Sequence, residues 1–355
     1  MSIVKEIESI FPEETNVPQD VLSGLPVEQE KYLIGGELRH WRGGVQEVFS
    51  PASVKTSSGN TPKRLGSYPL LTEKEAMEAL DAAAEAYNNG RGLWPTMSVS
   101  DRIRHMEDFV SRMIAVKKEV VNLLMWEIGK SRVDSNKEFD RTVQYINDTI
   151  TALKDLDRVS SRFVIEQGII GQIRRAPLGV ALCMGPFNYP LNETFTTLVP
   201  ALIMGNTVVF KPPKHGLLLY SFLLEAFRDS FPGGVVNTIY GKGREVLPAL
   251  MASGKIDVLA FIGTGEAANQ LRKQHPRLHR LRCVLGLEAK NPGIILADAD
   301  LELTVKECIL GCLSFNGQRC TALKILFVHS KIIDAFLGRL VEAIKDLEFG
   351  MPWDE

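Results

Sequence analysis

GVALCMGPFNYPLNETFTTLVPALIMGNTVVFKPP, residues 179–213, contains two short apolar runs, GVALCMG and NTVVFKP, on either side of a stretch at 191–204 that reads as a helix. Each run is apolar almost without interruption. Strands buried on both faces read this way, whereas a strand with one wet face alternates. Two similar runs follow, VVNTIYG (235–241) and DVLAFIG (257–263), with helical stretches at 216–230, 243–254 and 265–275. Short buried strands alternating with helices predict an α/β fold with a mainly parallel sheet, covered on both faces and joined by right-handed crossovers. Ligands of such sheets bind beyond the carboxyl ends of the strands, so the residues just after each run are the first functional candidates.

Upstream, residues 31–70 carry Gly pairs and β-favouring residues that suit a small antiparallel sheet. LTEKEAMEALDAAAEAYNNG (71–90) reads as a helix with Thr72 as cap, Glu75 completing a capping box and Gly90 after its end. Further helices are expected from Val99 to Ile128 and from Asp134 to Leu156, with Gly129 at the break. RFVIEQGIIGQIRRAPLGV (162–180) suits extended strands around Gly168 and Gly171, and residues 1–30 read as an extension short of periodic structure.

The chain has 355 residues, 45% hydrophobic and 24% charged, with net charge -2. These values fit a globular protein with a large core and more than one domain, and they offer no general attraction to nucleic acid or an anionic membrane. No run approaches the ~18 apolar residues that span a bilayer, and the acidic start lacks the pattern of a signal or transit peptide. Five cysteines form no tight framework, which argues for free thiols in a reducing, cytoplasmic compartment. Cys308 and Cys312 lack partners at zinc spacing and are expected to stack on the core face of a helix. No metal site is expected.

The strand ends hold the chemistry. After the first run, Asn188 lies between Phe187 and Tyr189 and between Pro186 and Pro190; it reads either as an Asx-turn residue or as an amide aimed outward. After the second, Lys211 and Lys214 straddle two prolines and suit a phosphate or ribose, or simply a solvated basic turn. After the fourth, Gly263, Thr264 and Gly265 open a helix whose N–H groups can bind an anion, although GxGxxG is absent. SFNGQRCTALK (314–324) places Cys320 beside Arg319 and near Gly317; the thiol is either a nucleophile or one more buried small residue.

Together, GPFNYPLN (185–192), PALIMGNTVVFKPP (200–213), FIGTG (261–265), ADADLEL (297–303) and SFNGQRCTALK resemble the aldehyde dehydrogenase superfamily from about residue 32 onward. The nearest branch is similar to the non-phosphorylating, NADP-dependent glyceraldehyde-3-phosphate dehydrogenases. The resemblance implies a Rossmann-type cofactor domain from 31–157 and 178–287, bridging or oligomerisation strands at 158–177, and part of a catalytic domain from 288–355. It implies Cys320 as nucleophile, Asn188 as oxyanion amide, and Lys211, Pro186, Phe187, Gly263, Thr264 and Gly265 at the cofactor. Lys214 stands where many NAD-preferring relatives have a glutamate, so NADP is favoured over NAD. Arg319, Tyr189 and Arg141 match the substrate-binding positions of the phosphorylated-aldehyde branch.

Two departures accompany the match. GLEAK replaces the ELGGK motif of the family, so Gly286 stands at the position of the general base; Glu288 is either its substitute or a structural loop residue. GMPWDE resembles a point well before the C-terminus of the family. The expected activity is oxidation of a small aldehyde, glyceraldehyde 3-phosphate first, through a cysteine thioester, in a homo-oligomer. A semialdehyde dehydrogenase, or an inactive remnant that only binds nucleotide or a partner, stand as alternatives.

Overall fold

A computed structural model describes residues 9–354. The expected extension is not separate from the core over the described residues. Val17, Val21 and Val27 are buried in the main core, and the Trp126 indole donates to the Val21 carbonyl at 2.7 Å. Three well-spaced valines were too sparse to register as a period. The expectation for residues 1–8 lies outside the described residues.

Strand β1 (Val27–Glu28) pairs with the second arm of a long antiparallel hairpin, β4 (Val45–Thr56) and β5 (Gly59–Pro69). A smaller hairpin, β2 (Lys31–Ile34) and β3 (Glu37–His40), precedes it. Residues 31–70 therefore form two separate antiparallel units rather than one sheet. Helix α1 (Glu73–Tyr87) begins with the predicted box: the Glu75 carboxylate accepts from the Thr72 N–H at 2.9 Å.

The single helix expected over 99–128 is two, α2 (Val99–Ala115) and α3 (Lys117–Ile128). Val116 separates them with φ -109° and ψ 20°. Its β-branched side chain packs against the core while the chain changes direction. Gly129, at φ 69°, ends α3 as expected. Helix α4 (Arg132–Ser160) is longer at both ends than expected; it starts early because Ser131 caps it by accepting from the Asp134 N–H. An exposed hairpin follows, β6 (Val164–Glu166) and β7 (Ile169–Gly171).

The main sheet contains β8 (Val180–Met184), β9 (Thr207–Lys211), β10 (Val236–Thr238), β11 (Val258–Gly263) and β12 (Arg282–Leu287), all parallel, in the order β10-β9-β8-β11-β12. Helices α5 (Asn192–Ile203), α6 (Leu224–Ser230), α7 (Gly243–Ala252) and α8 (Gly265–Gln274) make the crossovers. The helix expected from 216 starts as a 3-10 turn at Leu218–Phe222. The chain builds outward from β8 to β10 and then returns to the other side of β8. That reversal opens a crevice between the carboxyl ends of β8 and β11, where the ligand site of such a sheet forms.

Beyond β12, strands β13 (Asn291–Ile295) and β14 (Leu323–Val328) pair in parallel, with α9 (Leu301–Leu313) between them and α10 (Ile333–Lys345) after them. A second, small core of Ile295, Val305, Cys308 and Phe336 holds this part together. Cys308 is buried there, but Cys312 is only partly covered, so one of the two thiols faces the core. Among the described residues no helix is long and apolar enough to cross a membrane, and no cluster suits a metal ion.

Candidate active site

A cavity of about 680 Å³ occupies the crevice at the β8 and β11 ends and reaches the Cys320 loop. Asn188, Lys211, Lys214, Thr264, Glu288, Arg319 and Cys320 all contribute to its wall, as do Pro186, Phe187 and Gly263. Residues drawn from five separate stretches of sequence thus meet in one place.

On the β8 side, the Asn188 amide donates to the Gln318 carbonyl at 2.6 Å. An asparagine amide has two N–H donors, so one remains for a ligand. The turn that carries Asn188 rests on a buried ion pair with no signature in the sequence pattern. Lys130, fully buried, binds Glu138 and donates to the Asn188 carbonyl at 3.1 Å. Glu138 accepts from the Leu191 and Asn192 N–H groups at 3.0 and 3.1 Å. The Lys130 ammonium also lies over the rings of Tyr189 and Phe315, 3.7 and 4.2 Å from their centres. One ammonium therefore joins the Asn188 turn to the loop that leads to Cys320.

That loop needs an unusual backbone. Phe315, Asn316 and Gly317 have φ of 52°, 53° and 70°, a left-handed run that brings the chain round to the exposed Cys320. Asn291 holds the loop by donating to the Cys320 and Ala322 carbonyls at 2.6 and 3.1 Å. Lys324 donates to the Gly317 and Arg319 carbonyls, both at 3.3 Å. Arg319 itself turns toward the C-terminus of α9, where it donates to the carbonyls of Leu310 and Gly311 at 3.0 and 3.3 Å. Its charge serves those orphan carbonyls, which adjacency to Cys320 in sequence did not reveal.

On the lysine turn, the one bond of the Lys211 ammonium among the described residues is to the Pro212 carbonyl at 3.3 Å, and burial lowers the ammonium pKa to about 8. Lys214 is exposed and borders a second cavity of about 440 Å³, shared with Lys242 and Arg244. The turn is anchored from behind by Glu127, whose carboxylate accepts from the N–H groups of Gly216, Leu217 and Leu218 at 2.7 to 3.0 Å. Burial pushes the Glu127 carboxyl up to about 7 against those three hydrogen bonds.

At the start of α8, Thr264 caps the helix by accepting from the Ala267 N–H at 3.2 Å. The Gly265 N–H donates to Glu288 at 3.0 Å, so this carboxylate lies on the expected anion-binding terminus. At Gly286 a Cβ would sit 3.1 Å from Ile262, so that side chain would have to give way to anything larger. Tyr189 and Arg141 do not line the cavity; Tyr189 lies behind the Asn188 turn, where it meets Phe315 edge to face at 5.7 Å. Burial raises the Tyr189 hydroxyl, while the nearby charges of Arg319 and Arg141 pull it down. Arg141 is exposed on α4, and Glu193, in the first turn of α5, is a second carboxylate of the cavity wall.

An exposed cysteine, an asparagine amide bonded to its loop and a lysine turn at a sheet crevice occur together across residues 185–324. The model of the aldehyde dehydrogenase family matches residues 49–355. The chain belongs to that family. It is 30% identical over 338 residues to an NADP-dependent glyceraldehyde-3-phosphate dehydrogenase from Streptococcus equinus, covering 92% of this chain and 66% of that one. A malonate-semialdehyde dehydrogenase from Bacillus thuringiensis is 29% identical over 296 residues, covering 83% and 60%. The chain thus spans a little under two thirds of the length of these aldehyde dehydrogenase relatives. A solved NADP-dependent glyceraldehyde-3-phosphate dehydrogenase from Bacillus halodurans, complexed with NADP, superposes with a TM-score of 0.80 at 29% identity, over 92% of this chain and 67% of that one.

Proposed function

We propose that the protein oxidises a small aldehyde with an anionic tail to the acid, with NADP, through a thioester on Cys320. The observation that carries this reading is the Asn188 amide bonded to Gln318, two residues before Cys320, in the same cavity as Lys211 and Lys214. The Cys320 thiolate adds to the aldehyde carbon, and the second Asn188 N–H with the Cys320 backbone N–H holds the oxyanion. NADP, when bound, supplies the hydride acceptor, and water then releases the acid from the thioester. Lys211 would hold the adenine ribose, Lys214 the 2′-phosphate, and Pro186, Phe187, Gly263, Thr264 and Gly265 the remaining walls. Lys214, exposed where the two cavities meet and with no carboxylate in its place, suits a dianionic phosphate, which supports NADP over NAD.

Glyceraldehyde 3-phosphate is the substrate suggested by the Streptococcus and Bacillus relatives, with Arg141 and Tyr189 at its phosphate. A second reading, a semialdehyde, rests on Arg319, which suits a carboxylate tail as well as a phosphate: its Nη2 donates to Leu310 and Gly311, while its buried Nε has no hydrogen-bond partner among the described residues. The bare apolar hairpin, with Ile165, Ile169 and Ile170 each about two-thirds or more exposed, supports assembly with further copies. The free cysteines support a cytoplasmic setting.

The test is NADPH formation with a panel of phosphorylated aldehydes, semialdehydes and neutral aldehydes. Turnover that is fastest with glyceraldehyde 3-phosphate is expected. NADP binding with no turnover on any aldehyde would instead make the protein a nucleotide-binding remnant.

A further inference from the structure

Release of the acyl group from Cys320 needs a base for the attacking water, and position 286 is glycine. Two carboxylates, Glu193 and Glu288, line the cavity that holds Cys320. Glu288 is exposed, and its carboxylate is already engaged by the Gly265 N–H at 3.0 Å. Glu193 differs in each respect. It lies five residues beyond Asn188, and its N–H is fixed to the Tyr189 carbonyl at 3.2 Å, so it is built on the same rigid turn. Among the described residues its carboxylate makes no hydrogen bond and no ion pair. Burial raises its carboxyl above the usual range, helped by Glu138 and opposed by Arg141 and Lys130. A half-buried, unpartnered carboxylate in the wall of a reaction cavity suits proton abstraction at neutral pH.

We propose, on the basis of the thioester reading above, that Glu193 is the general base that activates water for release of the acyl group from Cys320. The water oxygen forms a bond to the acyl carbon while its proton passes to the Glu193 carboxylate. The carbon–sulfur bond then breaks, and the electron pair returns to Cys320 as thiolate. The acid leaves, and Glu193 gives its proton to solvent. No oxidant or reductant is consumed in this half of the cycle.

The experiment compares wild type, Glu193→Gln, Glu193→Asp and Glu288→Gln in rapid-mixing assays with NADP and aldehyde, with mass spectrometry of the Cys320 peptide. Glu193→Gln is expected to keep a full burst of NADPH, lose on the order of 100-fold in the steady state, and accumulate acyl-Cys320. Glu193→Asp keeps a carboxylate and is expected to recover part of the steady-state rate. A Glu193→Gln steady state within about threefold of wild type overturns the proposal. Accumulation of acyl-enzyme in Glu288→Gln but not in Glu193→Gln overturns it as well.

Acylation by p-nitrophenyl acetate, which needs no cofactor, separates this proposal from the dehydrogenase reading. If wild type forms no NADPH yet hydrolyses the ester through acyl-Cys320, the dehydrogenase reading fails. The base assignment is then decided by whether Glu193→Gln stalls at the acyl stage. Ester hydrolysis without acyl-Cys320 overturns both.

Discussion

Replacing Lys214 by glutamate should move cofactor preference from NADP toward NAD. Lys214 is exposed at the junction of the two cavities, so its contact with a 2′-phosphate is partly screened. A charge-assisted hydrogen bond contributes about 1.5–3 kcal/mol, and the lower end suits an exposed side chain. The new carboxylate adds repulsion of about 1 kcal/mol at a separation of about 4 Å in water. The two effects together change the ratio of dissociation constants by roughly ten- to hundredfold. Lys242 and Arg244 do not compensate, because Glu245 already lies 3.7 and 4.0 Å from them. NAD carries a hydroxyl at the same place and should lose little. Calorimetric titration of both cofactors into wild type and Lys214→Glu, at one fixed ionic strength, measures the ratio without turnover. An unchanged ratio would mean that Lys214 does not face the 2′ position, and the reasoning from charge would fail.

Asn188→Ala should lower kcat by about 10²–10³ with little change in the NADP dissociation constant, as measured by steady-state kinetics and calorimetry. Glu127 makes stability depend on pH. With a folded pKa of about 7 against 4.5 unfolded, the native state holds the extra proton, so the contribution of Glu127 is fully present below pH 4.5 and is lost as the pH rises through 7. The loss is about 3 kcal/mol, and urea midpoints at several pH values should show a shallower slope in Glu127→Gln. Lys130→Met leaves Glu138 buried without its partner and should cost about 3–5 kcal/mol, most of it recovered in Lys130→Met/Glu138→Gln; denaturant unfolding of both variants checks this.

The doubly covered sheet was legible because four apolar runs at strand length, each followed by helix and turn signals, leave few other architectures. Cap residues such as Thr72, Glu75 and Gly129 act locally, and the structure keeps them in those roles. Val116 was not legible, because a valine inside an amphipathic pattern gives no local sign of a break. The supports of the site were hidden for a different reason. Lys130 and Glu138 lie 58 and 50 residues before Asn188, and Glu127 lies 89 before Gly216, so only the folded chain brings them together. A buried lysine in a chain of ordinary composition has no periodic signature. Arg319 is a related case: the resemblance puts it at the substrate, and only the folded chain shows its Nη2 donating to the end of α9.

The most direct test of the account is the mass of the peptide that contains Cys320, quenched in acid within the first turnover after the protein is mixed with NADP and glyceraldehyde 3-phosphate. The account predicts an acyl group on Cys320 that forms only when NADP is present, and no adduct and no NADPH in Cys320→Ala. NADPH formation by Cys320→Ala, or turnover by wild type without any acyl-Cys320, would contradict it.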